Sequence, residues 1–152
     1  MKQQGDTHFE MEKHNKKRIA KNEKKKKLIL LDSHAILHRA YHALPEFSSS
    51  KGEPTGALYG LTAMLIKIIS DLKPDYIVAC FDLAGPTYRH EAYEEYKAGR
   101  KKMPDELREQ FEPLKDLLDK FNIHRLEIDG YEADDIIGTV SKIAEDNGFK
   151  VY

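Results

Sequence analysis

The sequence predicts an α/β domain, a mostly parallel sheet flanked by helices, and three observations predict it. Two short runs, Lys27 to Leu31 and residues 75 to 81, are almost continuously apolar, the pattern of strands buried on both faces. Each run ends in an aspartate, Asp32 and Asp82. Helical periodicity fills the chain between and after them, so strands and helices alternate as in a parallel sheet.

With 152 residues and 40% hydrophobic content, the chain suits one domain. Its net charge of −1 hides an asymmetry: residues 1 to 27 carry +6 and the remainder −7. Residues 1–26 run into Lys24-Lys25-Lys26-Lys27 with only scattered apolar side chains, too few to offset the entropy of ordering. This leader reads as a disordered, solvated extension, with a nucleic-acid-binding arm as the alternative. Residues 27–152 form the domain. The first apolar run is far shorter than a membrane span or a signal-peptide core, which points to the cytoplasm. The single cysteine, Cys80, lies within an apolar run, excludes an internal disulfide and reads as a buried small hydrophobe.

Between the two strands, Pro54-Thr55 opens a helix with Leu58, Leu61, Leu65, Ile68 and Ile69 on its apolar face, closing before Pro74. After Asp82, about twenty residues through Gly85, Pro86, Gly99 and Pro104 lack periodicity, the kind of segment that clamps a substrate. A single helix is expected from Pro104, with Leu107, Phe111, Leu114, Leu117, Leu118 and Phe121 as its buried stripe. His124 to Ile128 suits a short strand. Gly130 introduces a last helix with Ile136, Ile137, Val140, Ile143 and Ala144 inward, stopped at Asn147-Gly148, and Phe149 to Tyr152 begins another strand. Ligands of such sheets bind at the carboxyl ends of the strands, the edge that carries Asp32 and Asp82.

Glu132, Asp134 and Asp135 crowd the first turn of that last helix. A helix dipole favours each charge by roughly 0.3–1 kcal/mol. Two carboxylates about 4 Å apart repel by roughly 4 kcal/mol at an effective dielectric of 20. If the trio converges with Asp32 and Asp82, a divalent cation is required, and an all-oxygen donor set favours Mg²⁺ or Mn²⁺ over Zn²⁺. Paired cations suit phosphodiester hydrolysis, one acidifying water and the other stabilising the leaving oxygen. Spacing alone leaves open the plainer reading of first-turn acids and two solvated strand-end aspartates.

Residues 85 to 103 interleave Arg89, Lys97, Arg100, Lys101 and Lys102 with Tyr88, Tyr93 and Tyr96. Cations hold phosphates and rings stack on unpaired bases, although Glu91, Glu94 and Glu95 could equally pair with those cations on a solvated helix. His34, His38 and His42 recur at helical metal-ligand spacing, but their apolar and aromatic neighbours favour packing or base contact over zinc. A phosphatase with an aspartate nucleophile typically needs a second acid two residues on, where His34 stands.

Taken together, the runs at 28–34 (LILLDSH), 39–44 (RAYHAL), 51–55 (KGEPT), 81–91 (FDLAGPTYRHE), 96–100 (YKAGR) and 130–135 (GYEADD) resemble the 5′ nuclease domain of bacterial DNA polymerase I. The resemblance covers residues 27–152 and implies a PIN-like, resolvase-like α/β fold. It implies Mg²⁺-dependent (or Mn²⁺-dependent) 5′-3′ exonuclease and 5′-flap endonuclease activity on DNA flaps and RNA primers, in a monomer with a covalently linked polymerase domain and no membrane partner. Asp32, Asp82, Glu132, Asp134 and Asp135 match the family's metal-binding carboxylates. Arg89, Lys97 and Arg100 match its helical arch, here residues 83–103, which steers the scissile phosphate. Asp32, Asp82, Arg89 and Lys97 are thus the implied catalytic group, and Arg39, Tyr41, Arg89, Tyr96, Lys97 and Arg100 the implied DNA contacts. After a strand like Lys150-Val151-Tyr152 the family continues into a Thr-Gly-Asp-x-Asp type motif and a helix-hairpin-like element. Their absence from this sequence implies a C-terminally truncated domain with an incomplete two-metal site, inactive alone. A stand-alone flap nuclease and a flap-DNA-binding module that does not cut are the alternatives.

Overall fold

The computed structural model describes residues 24–93, 95–97, 99 and 102–152. Most of the basic leader, with Arg100 and Lys101, lies outside the described residues; Lys24 to Lys26 are exposed and belong to no helix or strand.

Strand β1 (Lys27–Asp32) and strand β2 (Tyr76–Phe81) pair in parallel, Leu30 opposite Val78 and Asp32 opposite Cys80. Strand β3 (His124–Glu127) lies outside β2, and β4 (Lys150–Val151) lies on the free side of β1. The order β3-β2-β1-β4, all parallel, reverses direction at β1, and such a reversal opens a crevice at the carboxyl ends of the strands.

Period-two alternation sends each strand's side chains to opposite faces. Ile29, Leu31, Ala79 and Phe81 face a core completed by Leu37 of helix α1 (Ser33–Ala43), by Ala57, Leu61 and Leu65 of α2 (Gly56–Leu72), and by Leu107, Leu114 and Leu118 further on. Cys80, with Val78, faces a smaller cluster formed with Leu126 and with Ala133 and Ile136 of the last helix. The sheet is thus covered on both sides, as parallel sheets require.

Crossing from β1 to β2 takes two helices, α1 and α2, packed closely on each other. Gly60 makes the approach possible, since a Cβ there would stand 2.7 Å from Leu44 Cδ1 and 2.9 Å from Ala40 Cβ. Helix α2 ends at Lys73, in the left-handed conformation (φ 46°) just ahead of Pro74. The predicted helix from Pro104 is instead two pieces, α4 (Asp105–Arg108) and α5 (Phe111–Lys120), with Gln110 between them. Pro113 explains the break: it has no N–H, and its ring would collide with the carbonyl of Glu109 if the helix ran through, so it sits in the first turn of a new helix. Gln110 bridges the join, its amide donating to the Glu106 carbonyl (2.9 Å) and accepting from the Leu58 N–H (3.0 Å). Phe121 lies beyond α5 and is exposed, as are Ile69 and Ile143, so those three predicted stripe residues do not belong to the core. Within the aperiodic segment a short helix, α3 (Tyr88–Ala92), forms; the last helix is α6 (Ala133–Asp146).

Leu65 is fully buried at the centre of the larger core. Leu65→Ala should lower unfolding free energy by about 2–5 kcal/mol, the usual cost of a core cavity, read as a lower urea midpoint at unchanged slope.

Candidate metal and nucleic-acid site

Asp32 is the last residue of β1 and the N-cap of α1, its Oδ1 accepting the Ala35 N–H at 2.9 Å. Asp82 follows β2, and its Oδ1 accepts the N–H of Ala133, the first residue of α6, at 2.6 Å. One backbone N–H thus fixes one oxygen of each aspartate and sets the direction of the other. The Asp82 N–H donates in turn to His34 Nδ1 at 3.3 Å, so that nitrogen is the unprotonated one. The His34 ring lies against Phe111 and edge-on to Phe81. Burial lowers its pKa, and Asp82 and Asp32 oppose that shift.

Asp32, Asp82, Glu132 and Asp134 line one cavity of about 540 Å³, together with His34, His38 and Lys97. Four of the five carboxylates thus line one cavity, an arrangement that spacing alone had left open. Asp135 does not line the cavity; it holds Arg89 in a two-point pair, with both N···O distances 2.6 Å. That pairing brings the Asp135 pKa down to about 2, and the same carboxylate raises that of Arg89. Tyr88 adds a bond to Asp135 at 3.3 Å.

Glu132, the N-cap of α6, is 7% exposed. Burial pushes its pKa up, but hydrogen bonds from Lys97 (2.6 Å) and Tyr96 (3.1 Å) outweigh it and hold the group below the ordinary value. Arg89 lies 3.4 Å from the same carboxylate. The basic segment is thus folded onto the acidic helix terminus, and its base is tied to the loop before α6 by the Tyr88 N–H to the Gly130 carbonyl (3.2 Å).

As these side chains stand, no three His, Cys, Asp or Glu among the described residues form a group able to hold a metal ion. The donor chemistry still fits a hard divalent cation, since four carboxylates share one cavity and the Lys97 ammonium, a cation, stands beside Glu132. Of the remaining expected DNA contacts, Arg39 is exposed on α1 and Tyr41 lines a separate groove of about 350 Å³ with Pro45, Phe47 and Gln110; neither lines the carboxylate cavity. Sequence reasoning assigned His34 and His38 to packing or base contact, and both line the cavity as well. Their position, two and six residues beyond a strand-end aspartate, was the available signal.

Likenesses to a family, to two curated proteins and to two solved structures accompany this geometry. Residues 27–152 match the family described as 5′-3′ exonuclease, N-terminal resolvase-like domain, and the chain belongs to that family. It is 46% identical over 127 residues to DNA polymerase I of Bacillus subtilis, which covers 84% of this chain and 14% of that protein. Against the thermostable DNA polymerase I of Thermus aquaticus it is 40% identical over 129 residues, or 85% and 15% of the two chains. The chain therefore spans about one seventh of these curated relatives. Among solved structures, the T5 D15 protein co-crystallised with metal ions matches at TM-score 0.59 and 25% identity over 83% of this chain and 47% of that one. T5 5′-exonuclease with bound zinc shares the fold at TM-score 0.57 and 22% identity, with the same coverage. No helix among the described residues is long and apolar enough to cross a membrane.

Cys80 lies directly beneath the site, fully buried opposite Asp32. Burial, with the Asp32 charge adding to it, raises its thiol pKa to about 11. A raised value means less thiolate at any given pH, so native protein at pH 8 should resist iodoacetamide and urea-unfolded protein should alkylate readily. Mass spectrometry reads both, and fast native labelling would contradict the burial.

Proposed function

We propose that this chain is the front part of a metal-dependent 5′-3′ exonuclease and 5′-flap endonuclease within a DNA polymerase I, hydrolysing phosphodiester bonds in DNA flaps and RNA primers during replication and repair. One observation carries the reading: aspartates at the ends of two neighbouring parallel strands share a cavity with Glu132, Asp134 and the Lys97 ammonium. A structural zinc site would use Cys and His, and a triad hydrolase would need a positioned nucleophile; an acidic cavity with cations on its rim instead suits phosphoryl chemistry.

On this reading Asp32, Asp82, Glu132 and Asp134, with Asp135 beside them, hold Mg²⁺, with Mn²⁺ as a substitute. The bound cation supplies Lewis-acid polarisation of the phosphodiester and acidification of water. The chain's own cations do the rest: Arg89 and Lys97 bind and orient the scissile phosphate, and Tyr96 with Arg100 holds the unpaired strand entering the site. Arg39 and Tyr41 on α1 contact DNA beside the cleavage point. His34 holds Asp82 at the strand end through its backbone N–H. Metal dependence is supported by the T5 D15 protein, a relative in fold co-crystallised with metal ions. Residues 27–152 act as the domain and 1–26 as a basic leader, in a monomeric, cytoplasmic protein joined to a polymerase.

The test is Mg²⁺-dependent cleavage of a 5′-flap DNA by the protein as its gene encodes it. Asp82→Ala should cut the rate by more than about 100-fold, beyond what loss of a supporting partner to a metal ligand typically costs. Flap affinity measured in EDTA should stay near wild type. Undiminished cleavage by Asp82→Ala rejects the proposal.

A further inference from the structure

Two of the cations expected to hold phosphate, Arg89 and Lys97, are already engaged in this structure. Lys97 Nζ pairs with Glu132 at 2.6 Å, and Arg89 pairs with Asp135 at 2.6 Å and reaches Glu132 at 3.4 Å. Glu132 lines the cavity proposed above to hold the metal, and Asp135 stands beside it on the same helix turn. A single carboxylate cannot give its full charge both to an ammonium and to a divalent ion, so the two occupations compete.

We infer that Lys97 and Arg89 form a latch on the α6 carboxylates that a divalent cation exchanges for, releasing both side chains toward substrate phosphate. The inference rests on the metal-binding reading and adds a coupling that reading does not contain.

Charge balance favours such an exchange. Two monovalent cations leave Glu132 and Asp135 as one divalent ion arrives, so the acidic terminus of α6 keeps the same net charge in both states. Neither state leaves the buried Glu132 carboxylate uncompensated, the condition that would otherwise be most costly. The latched backbone is also strained: Lys97 has φ 62°, a left-handed conformation unfavourable for a residue with a Cβ. Such strain persists where surrounding contacts over-determine it, and the contacts here are the Glu132 ion pair, the Tyr96 bond to the same carboxylate and the Lys97 ammonium 5.1 Å from the Tyr96 ring centre. Breaking the pair removes one of these restraints on that conformation.

The coupling has a direction. Any phosphate that takes Lys97 and Arg89 from the carboxylates makes metal binding easier, and by linkage metal makes phosphate binding easier by the same factor. Metal and substrate would thus load cooperatively, although no residue need contact both.

The probe is Mn²⁺ alone, titrated into the full protein and followed by EPR without substrate. Lys97→Gln removes the competing charge and should tighten Mn²⁺ binding at least about fivefold, the lower end of typical coupling between sites. Lys97→Arg keeps the charge and should stay near wild type. In the wild-type protein, hydrogen exchange in the peptide spanning 88–97, where the Tyr93 N–H bonds the Arg89 carbonyl and the Tyr96 N–H the Tyr93 carbonyl, should quicken when Mn²⁺ is added. Equal or weaker Mn²⁺ affinity in Lys97→Gln, or exchange that is unchanged or slowed, overturns the latch while leaving the metal site standing. Absence of Mn²⁺ binding that Asp82→Ala abolishes overturns the site and the latch together.

Discussion

Acidic side chains brought to one rim of a parallel sheet repel, and everything near that rim is arranged to make their proximity tolerable. Two kinds of compensation divide the work. On the strand side, backbone N–H groups at helix starts take one oxygen of each aspartate, Ala35 for Asp32 and Ala133 for Asp82. On the helix side, where Glu132 is almost fully buried, whole charges are needed and Lys97 and Arg89 provide them. Remove the carboxylates and Arg89, Tyr96 and Lys97 lose these partners; remove the cations and the α6 terminus holds uncompensated charge.

This division gives the two halves different roles. Asp32 and Asp82 are each held by a backbone N–H at a helix start, so their positions follow from the sheet and the helices packed on it. Glu132 and Asp135 are held to each other through the Glu132 N–H, which donates to Asp135 at 3.1 Å, and in addition by Lys97, Tyr96 and Arg89, side chains from an aperiodic segment. The phosphoryl transfer proposed above would draw on both, the strand-side aspartates fixing the distance between reacting groups and the ion-paired side chains meeting the substrate.

Much of this was legible in the sequence, for reasons that can be stated residue by residue. β1 and β2 announced themselves because strands buried on both faces must be apolar at every position, and each aspartate is conspicuous where the apolar run stops. Helix α2 was readable from its 3.6-residue period and from Pro74 beyond it. The joint between α4 and α5 was not read, because an unbroken apolar stripe from Leu107 to Phe121 imitates one helix; Pro113, four residues after the carbonyl it would strike, was the signal. Composition showed cations and rings in residues 85 to 103 but could not show what they touch. The ion pairs of Arg89 and Lys97 join positions 46 and 35 residues apart, and no local pattern encodes such contacts. For the same reason Asp135 and Asp134, adjacent in sequence, were treated alike, although neighbouring positions on a helix point about 100° apart. Asp134 lines the cavity, and Asp135 turns to Arg89.

The proposed meeting of Asp32, Asp82 and the α6 terminus on one cation can be measured directly by loading the protein with Fe²⁺ and mapping where hydroxyl radicals cut the backbone. Cuts grouped at three places, around residues 32, 82 and 132–135, competed away together by Mg²⁺, are the outcome predicted here. Cuts confined to one of those places, or scattered over acidic stretches elsewhere without competition, would contradict it.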